Sequence, residues 1–248
     1  MRSPLAVGEA VEVPLSGELR YGLEFARLAA APEFHRPRRH ANAPAVLLVP
    51  GFMAGDRSLS ALRGWLRRRG SRTAAAGMQL NVDCAERAVG RLELRLQRLA
   101  ARCGRRVVVI GQSRGGELAR VLAVRNPDTL GTLVMLGSPV LDPLSVSPAV
   151  LSAVRGVARL GDIGVPRTFS NRCAEGECCS EFWEDLHTPL RPDVRAISVY
   201  SRSDAIVAWR ACLDPCARHV EVDSSHSGMS VNLAVYRELA AILEEEGQ

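Results

Sequence analysis

One segment, residues 107–120 (VVVIGQSRGGELAR), constrains the fold of this chain more than any other. Three valines and an isoleucine lead directly into Gly-Gln-Ser-Arg-Gly-Gly, and a helical pattern follows at once. A strand, the motif G-x-S-x-G and a helix in this order place a serine on a sharp, strained turn. Gly111 and Gly115 leave room where bulky side chains would clash. The segment therefore predicts that Ser113 is a nucleophile at the carboxyl end of a buried strand, where open α/β sheets bind ligands.

Short apolar runs alternate with amphipathic segments along most of the chain. This alternation predicts an α/β fold, in which helices cover both faces of a mostly parallel sheet. The predicted strands are residues 44–51, 106–110, 131–136, 195–200 and 218–222, with a weaker candidate at 71–78. The predicted helices are residues 58–70, 84–104, 116–125, about 208–213 and 231–246.

The domain organisation follows from these elements. Residues 1–43 are predicted to form an N-terminal helix and loop that pack on the core, and residues 44–248 to form the α/β domain. Within this domain, the interval 138–190 is longer than the few residues that usually join neighbouring elements. It leaves from the strand that follows the nucleophile helix, so it begins at the edge of the sheet where Ser113 points. We therefore expect it to be a cap over the site.

The predicted cap contains an apolar stripe at near-helical spacing, formed by Val150, Leu151, Val154, Val157 and Leu160. In one interpretation this stripe lines a pocket for the acyl part of a substrate, with Leu151 and Val154 as the candidate pocket residues. In the alternative, the stripe packs on the sheet away from the serine.

A serine hydroxyl needs a neighbouring base to accept its proton. His226 lies in the sequence HVEVDSSHSGM, directly after the last predicted strand, in a loop rich in serine and glycine. His219 falls within that strand, and the other three histidines lie in the predicted cap or before the first strand. Position relative to the sheet therefore favours His226 as the catalytic base.

The base in turn needs an acid that orients its ring. Asp204 follows the strand 195–200 and is expected at the same edge of the sheet as Ser113. Asp142, after the strand 131–136, is the alternative. Asp214 and Asp223 are interpreted as a loop residue and a strand-end residue. The predicted order along the chain is then Ser, Asp, His, as in α/β-hydrolases.

An acyl-transfer site also needs hydrogen-bond donors for the oxyanion. The backbone N–H of Arg114, directly after the nucleophile, is one candidate. The second donor is expected from the loop after the first core strand, VPGFMAGDRS, where Gly51 permits a close backbone approach. Phe52 is the first candidate in this loop. Met53 is the second, and it is also a candidate pocket residue.

The seven cysteines form an odd set, with the clusters CAEGECC and CLDPC at residues 173–179 and 212–216. Neither cluster has the C-x2-C spacing of a zinc ribbon, and no histidine lies at a ligand-like offset. A local disulfide within 173–179 is an alternative. The preferred interpretation is buried free thiols, and no metal or cofactor is predicted.

Charge and composition exclude several function classes. The net charge is +5, and all basic residues are arginines. The basic clusters at residues 36–39 and 67–69 lack interleaved aromatic residues for base stacking, so no nucleic-acid partner is expected. No apolar run approaches the roughly 18–20 residues that span a bilayer. The first residues lack the apolar core of a secretory signal, so a cytoplasmic location is expected.

Four segments together, LLVPGFMAGD, GQSRGG, YSRSDAIVAW and SSHSGM, resemble the α/β-hydrolase superfamily, specifically its small bacterial lipase-like and esterase-like serine hydrolases. The resemblance extends over residues 44–246. It implies an ester hydrolase without a cofactor, acting on a small-molecule or lipid ester. The early strands of the full superfamily fold are not evident, so a sheet of about six strands is predicted.

The predicted reaction proceeds through an acyl-enzyme on Ser113, with His226 as base and Asp204 as the orienting acid. A thioesterase or acyltransferase would use the same residues, and both remain alternatives. A haloalkane dehalogenase would need Asp at position 113. A different class, a hydrolase fold retained as a binding or scaffold protein, would typically lack a member of the triad, and this chain has all three.

Overall fold

The computed structural model describes residues 11–174 and 176–246. The first ten residues of the predicted N-terminal segment lie outside these ranges. Among the described residues, six strands form one parallel sheet in the order β2-β1-β3-β4-β5-β6. The strands are β1 Val46–Val49, β2 Thr73–Ala75, β3 Val107–Gln112, β4 Leu130–Leu136, β5 Arg195–Tyr200 and β6 Arg218–Glu221.

The helices that connect and cover these strands are numbered in chain order. They are α1 Tyr21–Ala30, α2 Pro32–His35, α3 Ser60–Arg68, α4 Ala85–Cys103, α5 Arg114–Arg125, α6 Pro148–Asp162, α7 Asn171–Ala174, α8 Ser180–His187 and α9 Leu233–Glu245. Shorter 3-10 helices span Leu15–Arg20, Asp56–Leu59, Trp209–Cys212 and Ser227–Val231. None of the described helices combines the length and apolar character that crossing a bilayer requires.

The core has two layers because successive residues of a strand point to opposite faces of the sheet. In β3, Val107 and Val109 pack in the layer that contains α4, α5 and α8. Val108 and Ile110 pack in the other layer, with α1, α3 and α9. All four side chains are buried almost completely. Burial on both faces explains why this strand is an unbroken apolar run.

The parallel topology brings every strand-to-helix loop to one edge of the sheet. The loops after β1, β3, β4, β5 and β6 all leave from the carboxyl ends of their strands. Functional groups that are far apart in sequence therefore meet at this edge.

Most predicted elements differ from the observed ones by one or two residues at an end, and two of the differences lie close to the site or change the type of element. The helix after β3 begins at Arg114, two residues earlier than predicted, directly after Ser113. The segment predicted as a helix near 208–213 is only the 3-10 turn Trp209–Cys212. Pro215 follows this turn closely, and the helical conformation is disfavoured for the residue that precedes a proline.

Candidate active site

Ser113 lies between β3 and α5 in a backbone conformation that L-residues rarely adopt, with φ 52° and ψ −129°. Its N–H donates to the carbonyl of Leu136 at 2.8 Å, which ties the turn to β4. A Cβ atom on Gly115 would lie 2.3 Å from the carbonyl oxygen of Val49, and one on Gly111 would lie 2.4 Å from that of Gly115. Glycine is therefore required on both sides of the serine, because the obstructing atoms belong to the backbone.

His226 and Asp204 form a buried pair at the same edge of the sheet. The distance from His226 Nδ1 to Asp204 Oδ2 is 2.7 Å, and both side chains are almost fully buried. The other carboxylate oxygen of Asp204 accepts hydrogen bonds from the backbone N–H groups of Ile206 and Val207, each at 2.8 Å. The carboxylate is thus held in one orientation toward the ring.

The alternative acid, Asp142, is engaged within its own loop. Its carboxylate accepts hydrogen bonds from the Ser145 hydroxyl at 2.8 Å and from the Leu144 N–H at 3.3 Å. Asp214, also considered as a loop residue, is fully buried and paired with Arg120 at 2.6 Å. The structure therefore brings Asp204, and neither of these two residues, to His226.

Ser113 and His226 line one small pocket together with Gly51, Phe52 and Gln112. Among the described residues, no hydrogen bond joins the serine hydroxyl to the imidazole. In hydrolases this contact often tightens only when substrate is bound. Ser113 and His226 therefore share one pocket, and Asp204 lies behind the imidazole, paired with Nδ1.

The imidazole environment favours proton uptake. Burial disfavours the charged ring, but the carboxylate of Asp204 outweighs that effect, and the pKa of His226 is raised above its ordinary value. A group with this property is suited to accept a proton from a hydroxyl.

Two glutamates of the N-terminal segment hold the histidine loop. Glu18 accepts hydrogen bonds from the backbone N–H groups of His226 at 2.8 Å and Ser227 at 2.9 Å. Glu24, which is buried, accepts from the N–H of Ser225 at 2.8 Å and from its hydroxyl at 2.9 Å. These two residues were not identified from the sequence.

A sequence signal for Glu24 did exist. The residue lies one helical turn before Leu28, which is fully buried, so a carboxylate occupies the apolar face of α1. A charged residue on such a face is rarely buried without a partner. No comparable signal marks Glu18, which is in a 3-10 helix without buried residues.

The two candidate oxyanion donors in the loop after β1 differ in whether the N–H group already has a backbone acceptor. The N–H of Met53 donates to the carbonyl of Asn81 at 3.3 Å. The N–H of Phe52 has no backbone acceptor among the described residues, and Phe52 lines the pocket with Ser113. The N–H of Arg114 belongs to the first turn of α5, where amides lack helical acceptors. Phe52 and Arg114 therefore remain the candidate pair.

A second, largely apolar pocket opens beside Ser113 and extends under the interval 138–190. Its lining includes Val150, Val154, Phe169, Phe182 and Trp183, all from this interval. Of the three predicted pocket residues, Val154 lines it, whereas Leu151 and Met53 do not. Successive helical residues point in different directions, so Leu151 does not share the face of Val150 and Val154. Met53 is about half exposed.

The apolar pocket also contains one carboxyl group, that of Glu117, one turn after the serine on α5. Burial raises its pKa to about 7, against the opposing charge of Arg114. The guanidinium of Arg114 donates to the carbonyl of Asp83 at 2.7 Å and covers the ring of Phe169. The lining of the pocket also includes Cys173 and Cys179.

Comparison with protein families and with curated protein sequences finds no match. Among solved structures, a lipase of Bacillus licheniformis in its mature form is 15% identical, with a TM-score of 0.62 over 84% of this chain and 94% of the lipase. A soluble variant of the monoglyceride lipase of Saccharomyces cerevisiae, in complex with a substrate analog, is 12% identical, with a TM-score of 0.58 over 85% and 88% of the two chains. An α/β-hydrolase enzyme from a sediment metagenome is 16% identical, with a TM-score of 0.53 over 85% and 94%.

At these identities the likeness concerns the fold. The chain has the α/β-hydrolase fold, and the predicted fold class, with a parallel sheet of six strands among the described residues, is confirmed.

The contacts of Glu24 predict a loss of stability in Glu24→Ala. The substitution leaves the N–H and hydroxyl of Ser225 without their acceptor in a buried place, which costs about 1–3 kcal/mol. Urea denaturation should show a lower free energy of unfolding. Glu33→Ala is the matched control, because Glu33 forms an exposed ion pair with Arg237, and its removal should change stability much less. Equal effects of the two substitutions would contradict a special role for Glu24.

Proposed function

We propose that this chain is a serine hydrolase that cleaves carboxylic esters through Ser113, His226 and Asp204. One observation carries the proposal: the buried His226–Asp204 pair lies beside a serine on a strained turn. Strained backbone of this kind is found preferentially at functional sites. The fold, shared with lipases among the compared structures, supports the same conclusion.

In the proposed first step, Ser113 attacks the ester carbonyl while His226 accepts the hydroxyl proton. Asp204 holds the ring and stabilises the imidazolium. The N–H groups of Phe52 and Arg114 stabilise the oxyanion. His226 then gives its proton to the leaving alcohol. In the second step, water activated by His226 attacks the acyl-enzyme, and the acid and the free serine are released.

The apolar pocket next to Ser113 supports an acyl group as the part of the substrate that is buried. Side chains of the interval 138–190 form much of its lining, and we propose that this interval acts as a cap that shapes the acyl site. A lipid or another apolar ester fits this lining. Hydrolysis of a thioester and transfer of the acyl group to another acceptor would use the same residues. A comparison of thioester with ester substrates, together with product analysis, distinguishes these reactions from ester hydrolysis.

One prediction concerns the serine and its base. Ser113→Ala and His226→Ala should each lower kcat/KM for p-nitrophenyl esters by about 10⁴–10⁶-fold, and the double variant should lose little more, because residues that share one step are not additive. His219→Ala is the control, since this ring contacts the carbonyl of Asp214 outside the site. A fluorophosphonate probe should label the wild type and not Ser113→Ala. An unlabelled wild type would favour a non-catalytic binding protein, and multiplicative losses would contradict a shared step.

A separate prediction assigns the acid. Asp204→Asn should lower kcat by about 10⁴-fold, because the amide favours the wrong tautomer of the histidine. It also removes the charge that raises the pKa of His226, so the acidic limb of the residual kcat/KM profile should move to lower pH. Asp142→Asn is the matched control, and its rate should stay near that of the wild type. The reverse pattern would show that Asp142 is the acid.

Two separate substitutions to aspartate in α6 test whether the interval 138–190 shapes the acyl pocket. Val154→Asp places a carboxylate in the acyl pocket and should lower kcat/KM for long-chain esters about tenfold or more relative to acetate esters. Leu151→Asp, one residue beyond the pocket face, is the control and should keep the chain-length preference. A uniform loss across chain lengths that follows a loss of thermal stability would show that Val154 is only a core residue.

A further inference from the structure

Four of the seven cysteines meet at one place beside the apolar pocket. Cys84 lies at the N-cap of α4, Cys173 lies in α7, and Cys178 and Cys179 precede α8. Their sulfur atoms all lie within 4.8 Å of one another. Cys178 is exposed and the other three are buried. The interpretation of the cysteines as buried thiols is therefore wrong for Cys178, and also for Cys216, which is exposed as well.

Four of the six sulfur–sulfur separations in the cluster are close to those of a tetrahedral metal site. The Sγ atom of Cys84 is 3.4 Å from that of Cys179 and 4.0 Å from that of Cys178. Cys178 is 3.2 Å from Cys173 and 3.8 Å from Cys179. Four sulfurs around a zinc ion, each at about 2.3 Å, are about 3.8 Å apart. In a disulfide the sulfurs would be about 2.05 Å apart, and all four thiols here are free.

The surroundings of the four sulfurs are suited to negative charge. Zn²⁺ would displace four thiol protons to solvent, and the resulting unit of metal and thiolates would carry two negative charges. Arg87, Arg114 and Arg172 lie close enough to interact electrostatically with these sulfurs. Their positive charges would stabilise a thiolate-bound ion.

Backbone amides also point toward the cluster. The first turn of α4 directs the N–H groups of Glu86 and Arg87 at the sulfur of Cys84. The N–H of Ser170 donates to the sulfur of Cys173 at 3.4 Å. Hydrogen bonds of this kind orient metal ligands and lower the cost of a thiolate.

We propose that Cys84, Cys173, Cys178 and Cys179 bind one structural Zn²⁺ ion. Four protein ligands complete a tetrahedron and leave no open position for water, as in structural zinc sites. The hard oxygen ligands that magnesium and calcium require are not part of the cluster. One of the four ligands belongs to the core and three belong to the interval 138–190. The ion would therefore cross-link the interval to the core.

This cross-link would fix a wall of the apolar pocket. Cys173 and Cys179 contribute to the lining of this pocket. The ion would hold α7 and the start of α8 against the N-terminus of α4. The proposal concerns the architecture of the pocket, and it does not depend on the reaction proposed for Ser113.

The test begins with the full-length chain, purified with a thiol reductant and without chelator. Elemental analysis should find one zinc per chain. After removal of the metal under anaerobic conditions, titration with Co²⁺ should give sulfur-to-cobalt charge-transfer bands that saturate at one equivalent, and Zn²⁺ should abolish them. Zinc should also raise the melting temperature of the stripped protein.

Serine substitutions identify the ligands. Cys178→Ser should weaken binding of Co²⁺ by more than about 100-fold, since even changes in the residues around ligands cost about 10–100-fold. Its control is Cys216→Ser, which changes an equally exposed cysteine outside the cluster and should bind as the wild type. Cys84→Ser and its buried control, Cys212→Ser, form a second pair. If Cys84→Ser does not fold, the exposed pair still decides the question.

Several results would overturn the proposal. These are the absence of stoichiometric zinc after reconstitution of the reduced protein, equal binding in Cys178→Ser and Cys216→Ser, a disulfide between cluster cysteines in the protein as isolated from cells, or iron in place of zinc. None of these measurements uses esterase activity. An inactive protein with one zinc would leave the zinc site standing and reject only the proposed reaction, and an active protein without zinc would do the opposite.

Discussion

The close approach of α5 to the end of β1 is the contact on which the rest of the site depends. Gly115 lies directly against the carbonyl groups of Val49 and Pro50, where no side chain fits. This contact places the first turn of α5 over the loop that carries Phe52, and the serine turn is held between the two. The strained conformation of Ser113 persists because β3, β4 and this loop fix it from several sides, which is how folded proteins maintain such strain.

Two segments outside the sheet then complete the surroundings of the serine. The N-terminal segment supplies Glu18 and Glu24, which fix the backbone of the histidine loop. The interval 138–190 supplies most of the apolar lining on the other side. The sheet alone therefore brings the serine, histidine and aspartate to one edge, while these additions hold the backbone of the histidine loop and form much of the lining of the apolar pocket.

Much of this arrangement could be predicted from the sequence because the relevant signals are local. Short apolar runs that alternate with amphipathic segments predicted the parallel sheet. The position of Asp204 after β5 and of His226 after β6 predicted that these two residues would lie at one edge. Other features depend on tertiary contacts that no local pattern encodes. The cysteine cluster combines Cys84 with residues some ninety positions later, so no ligand spacing was visible. Val154 lines the apolar pocket and Leu151 does not, because of how α6 is rotated about its axis. The periodicity of the sequence does not fix this rotation closely enough to separate neighbouring residues.

The contact between Glu18 and His226 joins residues that are 208 positions apart. The serine turn is held by β1, β3, β4 and α5. Residues of these elements that contact one another are closer in sequence than Glu18 and His226. During synthesis from the N-terminus, the turn has its partners well before the histidine loop exists. Contacts of such long sequence separation form late because closing the connecting chain costs entropy. We therefore expect the topology to favour one order of assembly, in which the serine turn forms before the histidine loop is secured.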